Sequence, residues 1–166
     1  MKIAIISDTH DNAVNTEKFL SWAKDNQIEK IIHCGDIATP SMIAELFGPA
    51  GIDFHCVFGN VADRDLLPQV CKKFPHAECY GDQGEINPDN ISLAFCHQPN
   101  EAKALAAAGK YQMVFYGHTH KPWLETLPNG CQLANPGTLG GLFQKATFAV
   151  LDTSTKNIEL KVLELL

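Results

Sequence analysis

Seven side chains that can bind divalent metal ions stand directly after short apolar runs of the sequence. They are two carboxylates, one carboxamide and four imidazoles, namely Asp8, His10, Asp36, Asn60, His97, His118 and His120. Seven donors exceed the needs of one tetrahedral zinc, and a closed structural zinc site would more often use cysteine thiolates. The set therefore indicates two ions that share one carboxylate, for which Asp36 is the candidate.

Two ions held ~3.5–4 Å apart support hydrolysis of phosphate esters, because they generate hydroxide from water and stabilise charge on the phosphoryl oxygens. We hypothesise that a hydroxide bridging the two metals attacks phosphorus in line. Any single histidine is more often structural than a ligand, and that interpretation is kept for His33, His55 and His76. The ordered set of seven donors carries the inference.

The five apolar runs predict the strands that must position these donors. They cover residues 2–10, 30–35, 54–59, 92–96 and 113–117, and such runs are typical of buried parallel strands. Sites in open α/β sheets lie outside the carboxyl ends of strands, so the five endings can share one crevice. Extended backbone would point Asp8 and His10 to the same side, because the strand period is two.

Helices are predicted between these strands, and hairpins follow them. The helical segments are residues 11–26 with Asn12 as cap, a helix from Thr39-Pro40 that ends at Gly48, residues 65–73, and residues 99–108 before Gly109. Two hairpins, at residues 123–135 and 147–163, favour an antiparallel sheet at the end of the chain. The predicted fold is α/β, with two sheets face to face, outer helices and a single domain over residues 1–166.

Composition restricts partners and location. The net charge of −6, without a run of Lys or Arg, makes a long nucleic acid an unlikely partner, whereas metal ions would let a small anion bind. The six cysteines contain no Cys-x-x-Cys and are interpreted as reduced thiols, although an even count leaves a secreted disulfide protein open. We expect a cytoplasmic protein without signal peptide or membrane contact, and assembly into a homo-oligomer stays open.

The ordered motifs resemble those of a known family. Asp8-x-His10, Gly35-Asp36, Gly59-Asn60, His97 and Gly117-His118-Thr119-His120 are similar to the five metal motifs of the calcineurin-like metallophosphoesterase superfamily. The short length and Asn135-Pro136-Gly137-Thr138 resemble its small single-domain bacterial and archaeal phosphodiesterases. The resemblance spans nearly the whole chain and implies a four-layer α/β/β/α sandwich with two facing mixed sheets and outer helices.

The resemblance also implies how two divalent ions per chain divide the ligands. One ion would take Asp8, His10, Asp36 and His120, and the other Asp36, Asn60, His97 and His118. The expected catalytic residues are Asp36, Asn60 and His97. Manganese is the expected ion, with iron, zinc or nickel as alternatives, since the nitrogen-rich second site disfavours magnesium.

Three positions depart from the family pattern. Many phosphatases of the superfamily place a histidine that assists the leaving group after the Gly-Asn pair, where this chain has Val61. Valine cannot donate a proton, so the sequence favours diesters with good leaving groups over alkyl monoesters. Asp11 and Gln98 stand where glycine is common, which leaves the ligands intact and alters the shape of the substrate pocket.

Two nearby stretches allow a functional or a structural interpretation. Asp63 and Arg64 either contact a phosphate or lie in a solvated loop, and residues 135–138 either shape the site or form a tight turn. We expect a dinuclear, metal-dependent phosphodiesterase that acts on small phosphodiesters. The alternatives are a non-catalytic interaction scaffold, as in the retromer subunit of this fold, and a nuclease, which the acidic charge disfavours.

Overall fold

The computed structural model describes all 166 residues and arranges eleven strands in two sheets. In chain order, β1 to β11 are Lys2–Ile6, Lys30–His33, Asp53–Cys56, Ala77–Cys79, Gln83–Ile86, Leu93–Cys96, Met113–Phe115, Trp123–Thr126, Gln132–Asn135, Thr147–Asp152 and Asn157–Val162. The six-stranded sheet has the order β11-β10-β1-β2-β3-β4, and the five-stranded sheet has the order β5-β6-β7-β9-β8. Both sheets are mixed, as expected.

Four helices connect these strands. In chain order, α1 to α4 are Ala13–Asp25, Gly48–Ala50, Leu66–Cys71 and Pro99–Ala107. The Asn12 side chain accepts the Asn15 N–H over 3.1 Å and caps α1, as predicted. None of these helices has the length and apolar character that a bilayer crossing requires.

The predicted end of the second helical segment at Gly48 is wrong. A π-helical turn at Ile43–Phe47 runs directly into α2, and Gly51, with φ 73°, takes the left-handed conformation that ends it. Glycine is required at residue 48 for another reason, because a Cβ atom there would collide with the Phe74 ring. The stop signal therefore lies three residues later than the sequence indicated.

Alternation along β1 explains the four layers. Ile3 and Ile5 face the second sheet and pack in one apolar cluster with Phe95 and Phe115. Their neighbours on β1 face the opposite way, into a cluster that also contains Phe19 of α1. On the outer face of the smaller sheet, α4 packs through its alanines in a third cluster. Helix, sheet, sheet and helix therefore form the predicted sandwich.

The two late hairpins are antiparallel as predicted, but they do not form one sheet. β8 and β9 pair with each other, and β9 runs parallel to β7 in the smaller sheet. β10 instead pairs antiparallel with β1, which attaches the β10–β11 hairpin to the larger sheet. Each hairpin thus extends a different sheet. One covers the edge that β1 would otherwise expose, and the other covers the edge of β7.

Candidate metal centre

The carboxyl ends of five strands, drawn from both sheets, bring the seven predicted ligands into one crevice. Four follow β1, β2 and β3 of the larger sheet, namely Asp8, His10, Asp36 and Asn60. Three follow β6 and β7 of the smaller sheet, namely His97, His118 and His120. The two sets of loops are joined directly, since the His118 N–H donates to Asp8 Oδ2 over 3.1 Å.

The expectation that Asp8 and His10 lie in extended backbone is wrong. β1 ends at Ile6, and φ is 52° at Asp8 and 42° at His10. Three further predicted ligands are also left-handed: Asp36, His118 and His120. This conformation is uncommon for residues other than glycine and costs roughly 1–2 kcal/mol per residue, so the surrounding loops must hold it in place. Such concentrated strain is typical of functional sites.

One group of donors surrounds the Asp8 carboxylate. Asp8 Oδ1 lies 3.2 Å from His120 Nε2 and 3.8 Å from His10 Nε2, and these two imidazole nitrogens are 3.3 Å apart. The Asp8 side chain is buried, yet Oδ1 has no hydrogen-bond partner. A buried oxygen without a partner is costly unless a ligand occupies the space beside it. The three donors therefore fit a cation.

A second group of donors surrounds Asn60 and Asp36. Asn60 Oδ1 lies 2.9 Å from His97 Nε2 and 3.1 Å from His118 Nδ1. Asp36 Oδ2 lies 3.4 Å from His97 Nε2 and 3.7 Å from His10 Nε2, so it faces both groups. Ligand atoms of Asp8, Asp36 and His97 also lie within 4.8 Å of one another. Nitrogen and oxygen donors at this density fit two adjacent divalent ions.

Burial and close partners shift the pKa values of three predicted ligands. Burial raises the pKa of Asp8, against the opposing effect of the neighbouring Ser7 hydroxyl. Burial also favours the neutral form of Asp36, but its hydrogen bond and charge interaction with His97 outweigh burial and lower the pKa of Asp36. The same pairing overcomes burial at His97 and raises its pKa. The lowered pKa favours the ionised carboxylate of Asp36, which is the form that binds metal ions.

Backbone carbonyls orient two of the imidazoles. His97 Nδ1 lies 2.9 Å from the Cys34 carbonyl, and His120 Nδ1 lies 3.4 Å from the Leu142 carbonyl. A carbonyl only accepts, so each Nδ1 carries a proton, and Nε2 is the nitrogen through which each ring would bind a metal ion. Metal-binding histidines are commonly fixed in this way, through their other ring nitrogen.

Residues 135–138 shape the site, which decides between the two interpretations of that stretch. Asn135 Nδ2 donates to the Gly117 carbonyl over 2.8 Å and to Thr119 Oγ1 over 3.1 Å, which fixes the loop of His118. Thr138 Oγ1 donates to the Asp8 carbonyl over 2.8 Å. These side chains support the left-handed turns without reaching the crevice. The sequence offered no signal for these contacts beyond the motif itself.

Asp11 has a structural role that explains its departure from the glycine of the family pattern. Its Oδ1 accepts the N–H groups of Ala38 and Thr39, each over 3.1 Å. This ties the loop after β1 to the loop that follows Asp36. The negative charge of Asp11 is thus used within the protein, and its side chain helps to hold the left-handed backbone of both loops.

His33 was interpreted as structural, and the structure agrees. Its Nδ1 accepts the Gly35 N–H over 3.2 Å, and its Nε2 lies 3.1 Å from Thr9 Oγ1. The ring is fully buried, and burial lowers the pKa of His33 to about 3. The neutral imidazole therefore links the loops that carry Asp8 and Asp36. Only its position at the end of β2, shortly before Gly35, hinted at this proximity.

Asp63 and Arg64 differ in what they do. Asp63 Oδ1 accepts the N–H groups of Asp65 and Leu66, so this side chain stabilises the start of α3. Arg64 lies closer to the crevice and pairs with Asp82. Val61 stands at the position of the histidine in the family pattern. It donates its N–H to Asp36 Oδ1 over 3.2 Å, and the residue is 42% exposed.

Comparison with known proteins agrees with this geometry. A phosphodiesterase of Methanocaldococcus jannaschii is 31% identical over 168 residues, covering 99% of this chain and 100% of that protein. The solved structure of an archaeal phosphodiesterase superposes with a TM-score of 0.90 at 29% identity, covering 98% of this chain and 99% of that one. Vps29 from Entamoeba histolytica, crystallised with zinc, superposes with a TM-score of 0.71 at 15% identity over 98% of this chain and 99% of that one, and shares the fold alone.

A match over most of the chain identifies the family to which it belongs. Residues 1–156 match the model of the calcineurin-like phosphoesterase superfamily domain. That match includes all seven metal-binding candidates and every strand before β11. With the facing mixed sheets and the donor groups at their ends, this chain belongs to the calcineurin-like phosphoesterase superfamily, whose members are hydrolytic enzymes that cleave phosphate esters.

Proposed function

We propose that this chain is a phosphodiesterase that hydrolyses small diesters with two divalent ions. The observation that carries the proposal is the convergence of seven donors in one crevice, with Asp36 Oδ2 facing both donor groups. The phosphodiesterase of Methanocaldococcus jannaschii, similar over its full length, supports the reaction type. The acidic chain without a basic run supports a small substrate over a long nucleic acid.

The ligands would divide between the two ions as the family resemblance implies. One ion would take Asp8, His10, Asp36 and His120, and the other would take Asp36, Asn60, His97 and His118. The distances within each donor group, between 2.9 and 3.8 Å, support this division. Manganese is the proposed ion, with iron, zinc or nickel as alternatives, because the imidazole donors disfavour magnesium.

The roles of the protein groups follow from their chemistry. Divalent ions, when bound, lower the pKa of water toward neutrality and polarise phosphoryl oxygens. Asp36 stays ionised beside His97 and supplies the shared negative charge, and Asn60 presents a neutral oxygen. Val61 has no proton to give, so the leaving group must depart without an acid from this position. A diester with a weakly basic leaving group meets that requirement.

The cysteines support a cytoplasmic location. All six are free, and five of them are buried. Free thiols persist in compartments that glutathione and thioredoxin keep reduced. In cell fractionation, we expect the protein to be recovered with the cytoplasmic markers.

A comparison of a diester with its matching monoester tests the proposal. Metal-free protein reloaded with Mn²⁺ should hydrolyse bis(p-nitrophenyl) phosphate faster than p-nitrophenyl phosphate. His97→Ala should abolish turnover, whereas His76→Ala should keep it, because His76 lies outside the crevice and bonds to the Gly48 carbonyl. No metal-dependent diester hydrolysis would contradict the proposal and favour the scaffold. Rapid degradation of long nucleic acid at physiological salt would favour a nuclease.

A further inference from the structure

A small polar cleft opens beside Asn60 and His97. Five further residues line most of it, namely Phe58, Arg64, Asp82, Gln98 and Glu101. The cleft holds about 160 Å³, which is below the roughly 300–1,000 Å³ of sites for drug-sized ligands. It adjoins the crevice through two metal-binding candidates, so a group attached to a phosphate in the crevice would extend into it.

Arg64 is held in position over this cleft. Its guanidinium donates to Asp82 Oδ1 over 2.6 Å and stacks on the Phe58 ring, with 4.8 Å between Cζ and the ring centroid. The bond to Asp82 uses one guanidinium nitrogen, which leaves other N–H donors of the fork available to a ligand. A fixed arginine loses little conformational freedom when it binds a ligand.

The cleft presents donors and acceptors together. Arg64 supplies donors, Glu101 supplies carboxylate oxygens, and the Gln98 amide supplies both. A hydroxyl group both donates and accepts, so an alcohol with several hydroxyls matches such a lining. Gln98 stands where the family commonly has glycine, so this wall of the cleft is formed by a side chain that departs from the pattern.

Other kinds of substituent fit the cleft less well. The charged side chains of its lining are one guanidinium, already paired with Asp82, and the two carboxylates of Asp82 and Glu101, so the lining itself offers little attraction to a second phosphate. Phe58 is the only phenyl ring of the lining, and Arg64 already stacks on one of its faces, so a nucleobase would compete with Arg64 for that face. An acyl chain would bury polar groups without hydrogen bonds.

We infer that this cleft binds one alcohol of the phosphodiester and that this alcohol is a small polyol or sugar. The inference rests on the proposed function, because the cleft only becomes a substrate site if a diester occupies the crevice. It assigns Arg64, Gln98 and Glu101 as residues that determine specificity. Each would contact hydroxyl groups of the substrate away from the reacting phosphorus.

Two diesters that differ only in hydroxyl groups test this inference. Both carry p-nitrophenol as leaving group, and the second alcohol is glycerol in one and 1-propanol in the other. The manganese-loaded protein should show a kcat/KM about tenfold or more higher for the glyceryl ester, because hydrogen bonds to charged groups are the strong ones. Arg64→Ala and Glu101→Gln should bring the ratio toward one, and Arg64→Lys should restore part of it.

A matched control and a binding measurement separate the outcomes. Lys110→Ala removes a similar exposed ion pair, with Glu85, at the opposite ends of the strands, and should leave the ratio unchanged. Calorimetry with glycerol 1-phosphate and propyl phosphate measures recognition without turnover, and the glyceryl compound should bind more tightly. Equal kcat/KM values together with equal affinities would overturn the inference. Hydrolysis of neither ester would overturn the proposed function. In that case tighter binding of glycerol 1-phosphate than of propyl phosphate would still support the inference, and equal binding would overturn it.

Discussion

The Gly59 backbone lies so close to the Asp36 carboxylate that a methyl group on residue 59 would collide with Asp36 Oδ1. The same holds across the crevice, where a methyl group on Gly117 would collide with Ser7 Oγ and the Asp8 carboxylate. The glycines that precede Asn60 and His118 therefore have a steric function. They let loops from two sheets approach closely enough for their donors to meet.

Replacement of Gly59 by alanine should weaken metal binding about tenfold or more, since displacement of groups that orient a ligand typically costs 10–100-fold in affinity. Calorimetric titration of the metal-free variant with Mn²⁺ measures this. Gly109→Ala is the control, because it has φ 71° and open space around its Cβ position. It should cost about 1–2 kcal/mol of folding free energy and leave metal affinity unchanged. Equal affinity in both variants would contradict the steric account.

Loss of the Asn135 amide should loosen the loop that carries His118 and His120. Asn135→Ala removes both of its donations, to the Gly117 carbonyl and Thr119 Oγ1, and we expect Mn²⁺ affinity to fall about 10–100-fold. Asn129→Ala is the matched control, because Asn129 Nδ2 also donates to a backbone carbonyl, that of Ala106 over 2.8 Å, but lies away from the crevice. Its Mn²⁺ affinity should equal that of the wild type. An unaltered titration of Asn135→Ala would mean that the loop holds its shape without this amide.

Protonation of His33 should make the metal-free protein less stable in acid. The pKa is about 3 in the fold against 6.5 in the unfolded chain, so between these values only the unfolded chain binds the proton. The free energy of unfolding should therefore fall below pH 6.5, with a slope of about 1.4 kcal/mol per pH unit from this residue. Urea unfolding of wild type and His33→Gln between about pH 7 and 5 measures the difference in slope. Parallel curves would show that His33 is not the group concerned.

Introduction of an acid at residue 61 should change the preferred ester. The Val61 backbone already contacts Asp36, and its side chain is partly exposed, so the imidazole introduced by Val61→His would lie next to the crevice without repacking the core. The kcat/KM for an alkyl monoester should rise about tenfold or more relative to the diester, because a positioned acid contributes roughly 10²–10⁴-fold. Val61→Leu controls for side-chain volume. A rise of the same size in the leucine variant would exclude proton donation as the cause.

Local patterns predicted the parts of the fold that depend on local sequence. The apolar runs before Asp8 and Asp36 predicted strands, and Asn12 predicted the start of α1, because strand burial and helix capping leave short-range signals. The point at which the second helical segment ends was missed. Gly48 looks like a helix stop signal in the sequence, but residue 48 is glycine because a side chain there would collide with Phe74, which lies far along the chain.

Features of the fold that depend on contacts between distant residues could not be predicted from the sequence. The sheet that each late hairpin joins depends on pairing with β1 or β7, which periodicity does not encode. The left-handed backbone at Asp8 and His10 depends on hydrogen bonds from distant loops, such as the Asp8 N–H to the Gly35 carbonyl. Residue types thus predicted which donors meet, while tertiary contacts set their geometry.

Metal content tests the central claim most directly. Metal-free protein dialysed to equilibrium against Mn²⁺ and analysed by elemental analysis should bind two ions per chain. Asp36→Ala should bind fewer than two, because the carboxylate that faces both donor groups is gone. A wild-type protein that binds no ion when it is dialysed in turn against manganese, iron, zinc and nickel would contradict the account. Two ions in the Asp36→Ala variant would contradict the shared role of Asp36.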